Sequence, residues 1–307
     1  MTHNAEFQHE KNEILKKIIK DYEKYWRIFS ILVEKLKPLE FLDLELNRKV
    51  TSMLLYQKMK NEEHKNEVKV IDKILKKNSI NYILLKGGAY NMFLYEGSEA
   101  RCCSDIDILV LEQDYDKVLS LFETHEPASN IKTGPLAGIY EETRYLKKAG
   151  YQIDIHKNLI YPYIFNLCMR KIFEESIAID EIKVMSIEWQ LIHQCLHVFR
   201  DQDLNIYKVI EFLKLLKLCN DKKKLEIMIN ETGVRNIFEI LMFHSGKRGM
   251  CDVDWKTRLC LKILYSEPRN SILKIFKKYF LFYLMPDRKM GVIKLYWKYM
   301  VRSIGYE

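Results

Sequence analysis

The stretch Ser104-Asp105-Ile106-Asp107-Ile108-Leu109-Val110 decides the fold. Two acids stand two residues apart, and Ile106, Ile108 and Val110 fall between and beyond them. A period of two belongs to a β-strand, so the acids share one face and the isoleucines and valine the other. We therefore expect a strand over Asp105–Leu111. Upstream, Tyr82-Ile83-Leu84-Leu85 is a continuous apolar run, as in a strand buried on both faces. It ends in Lys86-Gly87-Gly88, after which a short helix is expected over Ala89–Tyr95. Downstream the pattern predicts a helix over Asp114–Glu123. Two strands follow, Glu142–Lys148 and Tyr151–Leu159, joined at Ala149-Gly150. A second hairpin, Ile177–Ile179 with Ile182–Met185, turns at Asp180-Glu181.

On either side of this region the period becomes helical. Ile14, Ile18, Tyr22, Trp26 and Phe29 predict a helix within 10–37, and a second runs over about 46–77. Ser186, with Glu188 in the first turn, opens a third series. Its helices are expected near 187–200, 205–219, 222–231, 234–245, 256–265, 269–284 and 288–303. Only 11 Gly and 6 Pro in 307 residues argue for long helices and against a turn-rich sandwich or barrel. The expected class is α+β. A small mixed sheet over 78–185 is flanked by an N-terminal helical region, 1–77, and a C-terminal helical domain, 186–307.

Composition narrows the function classes. Hydrophobic residues make up 48% and charged residues 30%, too apolar for a disordered chain. No apolar run approaches the roughly 20 residues of a membrane span. The first 25 residues carry charges throughout, unlike a secretory leader. Seven cysteines, none in a CxxC pair, fit a reducing compartment, so a cytoplasmic protein is expected. The formal charge of +8 is local: Trp255 to Glu307 holds 12 Lys/Arg against 3 Asp/Glu. Aromatics interleave that basic tail. It suits either an anionic partner or amphipathic helices with solvated lysines. Its many large apolar residues predict that it packs as helices on the sheet domain and borders an acceptor cleft.

A third acid, Asp154, alternates with apolar residues in Tyr151-Gln152-Ile153-Asp154-Ile155-His156. Adjacent strands lie about 4.8 Å apart, so Asp105, Asp107 and Asp154 converge if their strands are neighbours. Crowded carboxylates need a cation, and an oxygen-rich cluster suits Mg²⁺ completed by substrate phosphate. Gly87 and Gly88 at a strand-to-helix junction let backbone approach a phosphate, and Lys86 adds a point charge. Arg101 lies in the loop before Asp105, close to the expected acid cluster. His156 shares the face of Asp154 and is expected to touch acceptor or carboxylates. Walker and kinase motifs are absent. His193 and His197 are spaced i, i+4, but Gln194 replaces the glutamate of a zinc protease, so a core role is expected. Vicinal Cys102-Cys103 would bridge only with strain.

These residues resemble the polymerase-β-type nucleotidyltransferase superfamily. More narrowly they are similar to a group of uncharacterised bacterial nucleotidyltransferases. The resemblance rests on Leu85-Lys86-Gly87, Arg101-x-x-Ser104-Asp105-Ile106-Asp107 and Ile153-Asp154-Ile155-His156, and more loosely on the helices from 187. It implies transfer of a nucleoside monophosphate from an NTP, ATP being favoured, to an acceptor hydroxyl with release of pyrophosphate. Asp105, Asp107 and Asp154 would hold Mg²⁺ or Mn²⁺ and act in catalysis. Lys86, Gly87, Gly88, Arg101 and Ser104 would bind nucleotide. The acceptor is left open as a small molecule, a peptide or RNA. Two other readings share the residues: a catalytically silent nucleotide- or partner-binding module, and a toxin-like enzyme modifying tRNA or protein.

Overall fold

The computed structural model describes residues 13–36, 44–95, 101–122, 141–146, 151–249, 252–266, 271–287 and 292–294. The chain opens with helix α1 (13–20), α2 (Tyr22–Tyr25), a 3-10 turn (Trp26–Ile28) and α3 (Phe29–Leu36). The single helix expected within 10–37 is thus broken, and Gln57 accounts for the break. Its amide donates to the Trp26 carbonyl, and its oxygen accepts from the Ser30 N–H at 3.2 Å. A side chain from α4 (Leu44–Lys77) thereby satisfies backbone groups where the helix tightens.

The sheet comprises β1 (Tyr82–Leu84), β2 (Asp105–Val110), β3 (Glu141–Leu146), β4 (Tyr151–His156), β5 (Ile177–Ile179) and β6 (Ile182–Val184). Its order is β3-β4-β2-β1-β6-β5. The β2–β4 and β1–β6 pairs are parallel and the rest antiparallel, so the sheet is mixed. Helix α5 (Lys86–Phe93) follows β1 and α6 (Glu112–Leu121) follows β2. The expected helix start at Ala89 moves back three residues: both glycines lie in the first turn of α5. The Ala149-Gly150 turn lies outside the described residues. A short α7 (Met169–Glu174), absent from the sequence expectations, buries Ile172 and Phe173 before the second hairpin.

Alternation along the strands divides the core. Ile106, Ile108, Val110, Ile153 and Ile155 face Val68, Ile71 and Leu75 of α4 and Tyr115 and Val118 of α6. Ile83, Leu85 and Leu109 belong to a larger core on the opposite face. That core is built with α8 (Ile187–Asp201), α9 (Ile206–Leu218), α10 (Lys222–Thr232), α11 (Arg235–His244), α12 (Trp255–Tyr265) and α13 (Ser271–Leu284). Phe282 of α13 lies 4.7 Å from Phe199 of α8, ring centre to ring centre. The C-terminal helices pack on other helices, and Phe282 also meets Tyr161 of the expected sheet domain, ring centre to ring centre at 6.2 Å. The helix expected over 288–303 and the basic residues Lys289 and Lys298 lie largely outside the described residues, which include 292–294 with Lys294. Among the described residues no helix is long and apolar enough to cross a membrane.

Candidate functional site

Strand pairing brings the acids together. In the parallel β2–β4 pair, Asp107 stands directly beside Asp154, and Asp105 beside Gln152. Asp107 and Asp154 are buried, while Asp105 is half-buried at the start of β2. His156, two residues beyond Asp154 and on its face, places Nε2 2.9 Å from Asp107 Oδ1. Lys86 Nζ donates to the same oxygen. Gln152 Nε2 donates to Asp154 Oδ1 at 2.8 Å, and Ser104 Oγ donates to Asp105 Oδ1 at 3.3 Å.

Ligand atoms of Asp107, Asp154 and His156 lie within 4.8 Å of one another. Two carboxylates and an imidazole are a donor set that fits a divalent cation: the oxygens suit Mg²⁺, and the imidazole is better tolerated by Mn²⁺. Asp105 falls outside this group. The expected trio is thus a directly registered pair, Asp107 and Asp154, with Asp105 one step along the same face and His156 joining them.

Asp105 and Asp107 open into a cavity of about 430 Å³, and Asp154 lies behind them, beside Asp107 on β4. Asp105, Asp107, Lys86 and Gly87 line it from the sheet side, Trp26 and Arg27 from the N-terminal segment. Helices α8 and α9 and their connection supply Gln194, His197, Arg200, Asp201, Asn205, Tyr207 and Glu211. The described cavity lining includes no residue of the C-terminal tail, most of whose last twenty residues lie outside the described ones. Residues 24–247 match the uncharacterised nucleotidyltransferase family. The chain belongs to that family. Among solved structures it is similar to an antigenic nucleotidyltransferase-like protein from Paracoccidioides brasiliensis. The identity is 16% and the TM-score 0.35, over 55% of this chain and 86% of that one. No curated protein is similar to it in sequence.

In this nucleotidyltransferase family member the junction at Lys86 is strained. Lys86 has φ +49°, a left-handed conformation that costs a non-glycine residue roughly 1–2 kcal/mol. The residue there nonetheless carries an amine, and the amine reaches Asp107. The Leu85 N–H donates to the Asp107 carbonyl at 2.9 Å, fixing the junction against β2.

Gly87 and Gly88 are buried within α5. A Cβ on Gly87 would sit 2.5 Å from Cys103 Sγ and 2.6 Å from Arg101 Nη1. The close approach of the loop into β2 is therefore enough to require glycine there. Gly88 is crowded less, by Leu84 and His64.

Arg101 is buried, with Nε 3.2 Å from Glu211 Oε1 on α9. Asn91 of α5 clamps the Arg101 backbone through both its N–H and its carbonyl. Burial pushes the Glu211 carboxyl up, opposed by Arg101 and by the Gln194 amide at 2.8 Å. Burial likewise pushes the Cys103 thiol up to about 12, which disfavours the reactive thiolate. His193 and His197 meet edge to face at 4.8 Å, and burial holds both imidazoles well below their usual range, that is, neutral. Among the described residues neither belongs to a metal-ligating group.

Sequence reasoning missed His64. This buried residue of α4 places Nε2 3.0 Å from the Asp105 carbonyl and packs edge-on against Tyr151 at 5.5 Å. A polar residue on the apolar face of an otherwise amphipathic helix was the available signal.

Proposed function

We propose that the protein transfers a nucleoside monophosphate from an NTP, ATP being favoured, to a hydroxyl-bearing acceptor, with release of pyrophosphate. The observation that carries this reading is the direct pairing of Asp107 with Asp154 beside a cavity that also holds Asp105 and Lys86. Asp107 and Asp154 would hold Mg²⁺ or Mn²⁺, with Asp105 reaching it from one step along the same face; the ion would supply charge neutralisation for the phosphates and orientation of the reacting oxygens. Asp154 takes the proton of the acceptor hydroxyl, whose oxygen bonds to the α-phosphorus as the bond to the pyrophosphate oxygen breaks. Lys86, at the start of α5, faces negative charge on the nucleotide, and His156 orients Asp107. Ser104 keeps Asp105 in place, while Arg101, Gly87 and Gly88 shape the wall nearest the phosphates. The acceptor is a small molecule, a peptide or RNA.

The test is incubation of the protein with each α-labelled NTP, Mg²⁺ or Mn²⁺ and a cell extract. Label should appear in one acceptor class and disappear with Asp154→Asn. A silent nucleotide-binding module is the second reading. It is favoured by Lys86, which already pairs with the charge of Asp107. Calorimetric binding of ATP with no pyrophosphate from any NTP would select that module and refute transfer.

A further inference from the structure

The cavity carries four cationic and four carboxylate side chains. Most of them cancel within the protein: Lys86 pairs with Asp107, Arg101 with Glu211, and Arg200 with Asp201 at 2.7 Å. Asp201 also receives Lys208 at 2.7 Å, and two of the lining charges are left without a partner of opposite sign. Among the described residues Asp105 has no cationic partner and Arg27 has no carboxylate within ion-pair distance.

Arg27 is instead held by aromatic rings. Its guanidinium lies 5.4 Å from the centre of the Trp26 ring and 5.3 Å from that of Tyr207, and Nη1 donates to the Tyr207 hydroxyl at 3.2 Å. The Tyr207 ring also receives Arg101 at 5.2 Å. A guanidinium packed on aromatic faces keeps its charge and its in-plane donors, and Arg has five N–H groups in a fork that matches phosphate. Only one of these donors is spent on Tyr207.

We propose that Arg27 binds the terminal phosphates of the NTP, so that the N-terminal helical region completes the substrate site. This rests on the nucleotidyltransferase reading above. The two residual charges match a metal-bound nucleoside triphosphate. Its cation answers Asp105 and the neighbouring acids, and its distal phosphates answer Arg27. A nucleoside monophosphate lacks the distal phosphates and gains nothing from Arg27.

The experiment is calorimetry on the full chain with Mg²⁺ and three probes: a non-hydrolysable α,β-methylene ATP, inorganic tripolyphosphate and AMP. Arg27→Gln should weaken the ATP analogue and tripolyphosphate by about 10- to 100-fold, the range for charge-assisted hydrogen bonds, and leave AMP within about twofold. Arg27→Lys, which keeps the charge and loses the fork, should fall between. Tyr207→Phe removes the hydroxyl anchor and keeps the ring. It should weaken the same two probes by a few-fold, and it guards against a folding defect at position 27. Unchanged affinity for the ATP analogue in Arg27→Gln overturns the proposal, as does an equal loss for AMP. A wild-type chain that binds none of the probes overturns the nucleotidyltransferase reading itself.

Discussion

Replacing Asp107 and Asp105 separately by Asn should move stability in different ways, although both changes should abolish transfer. Crowded acids alone predict that either change relieves repulsion and stabilises the fold. The structure assigns the two carboxylates different surroundings. Asp107 is 3% exposed and contacts Lys86, 12% exposed, and His156, 1% exposed. Removing one partner of a buried pair costs about 3–5 kcal/mol because the other charge is stranded. Lys86 lines the cavity and can turn toward water, so we expect about 1–3 kcal/mol for Asp107→Asn. At roughly 2–4 °C per kcal/mol for a chain of this size, Tm should fall by about 2–12 °C. Asp105→Asn leaves no cation behind among the described residues, and its Tm should stay level or rise slightly. The assay is thermal melting by circular dichroism in chelator-treated buffer, with urea midpoints as a second measure. An Asp107→Asn variant that melts at or above the wild type refutes the pairing argument, as does an Asp105→Asn variant that loses more than Asp107→Asn.

The Gly87 contacts predict that Gly87→Ala costs about 1–3 kcal/mol by overpacking and more than Gly88→Ala, whose nearest neighbour is a flexible Leu84 methyl at 3.2 Å. Equal urea midpoints for the two variants would remove the steric account. Burial lowers the imidazoles of His64, His193 and His197 below the usual 6.5, so the unfolded chain takes up protons first as pH falls. Their contribution is fully present above about pH 6.5 and is lost below it, at up to roughly 1.4 kcal/mol per pH unit for each histidine. Glu211, whose carboxyl is raised, works in the opposite direction as a single group. Unfolding free energy should therefore be lower at pH 5.5 than at pH 7.5, and a flat or rising profile toward acid contradicts the burial of neutral histidines.

The parts legible in the sequence are those with a local period. The alternation in Asp105–Val110 and Tyr151–His156 places acids on one face and Ile106, Ile108, Ile153 and Ile155 on the other, and the core has that division. The start of α5 was not legible, because Gly87 and Gly88 read as breakers, whereas Gly87 is small for the sake of Arg101 and Cys103 and Gly88 packs against Leu84 and His64. The break between α2 and α3 depends on Gln57, some 30 residues away in sequence. Arg27 and Tyr207 are 180 residues apart, and no spacing rule connects them. His64 reaches the Asp105 carbonyl across 41 residues. Each of these partnerships depends on tertiary packing, and only His64 leaves a periodic trace, as a polar residue on an apolar helix face.

The acid-bearing face owes its geometry to segments outside the strands. Buried carboxylates are expensive unless partners are held in position. Lys86 is held by a strained junction, and His156 by its register on β4. The entry to β2 is gripped at three points. The Arg27 carbonyl accepts from the Cys102 N–H at 3.1 Å, His64 meets the Asp105 carbonyl, and Glu211 of α9 pairs with Arg101. Two of these grips come from the N-terminal helices and one from the C-terminal helices. The larger core makes the same connection in apolar terms, because Ile28 and Ile31 join Ile83, Leu85 and Leu109 with the residues of α8 to α11. Displacing α9 would strand Arg101 buried without its carboxylate, and with it the loop that delivers Asp105 and Asp107 to the cavity.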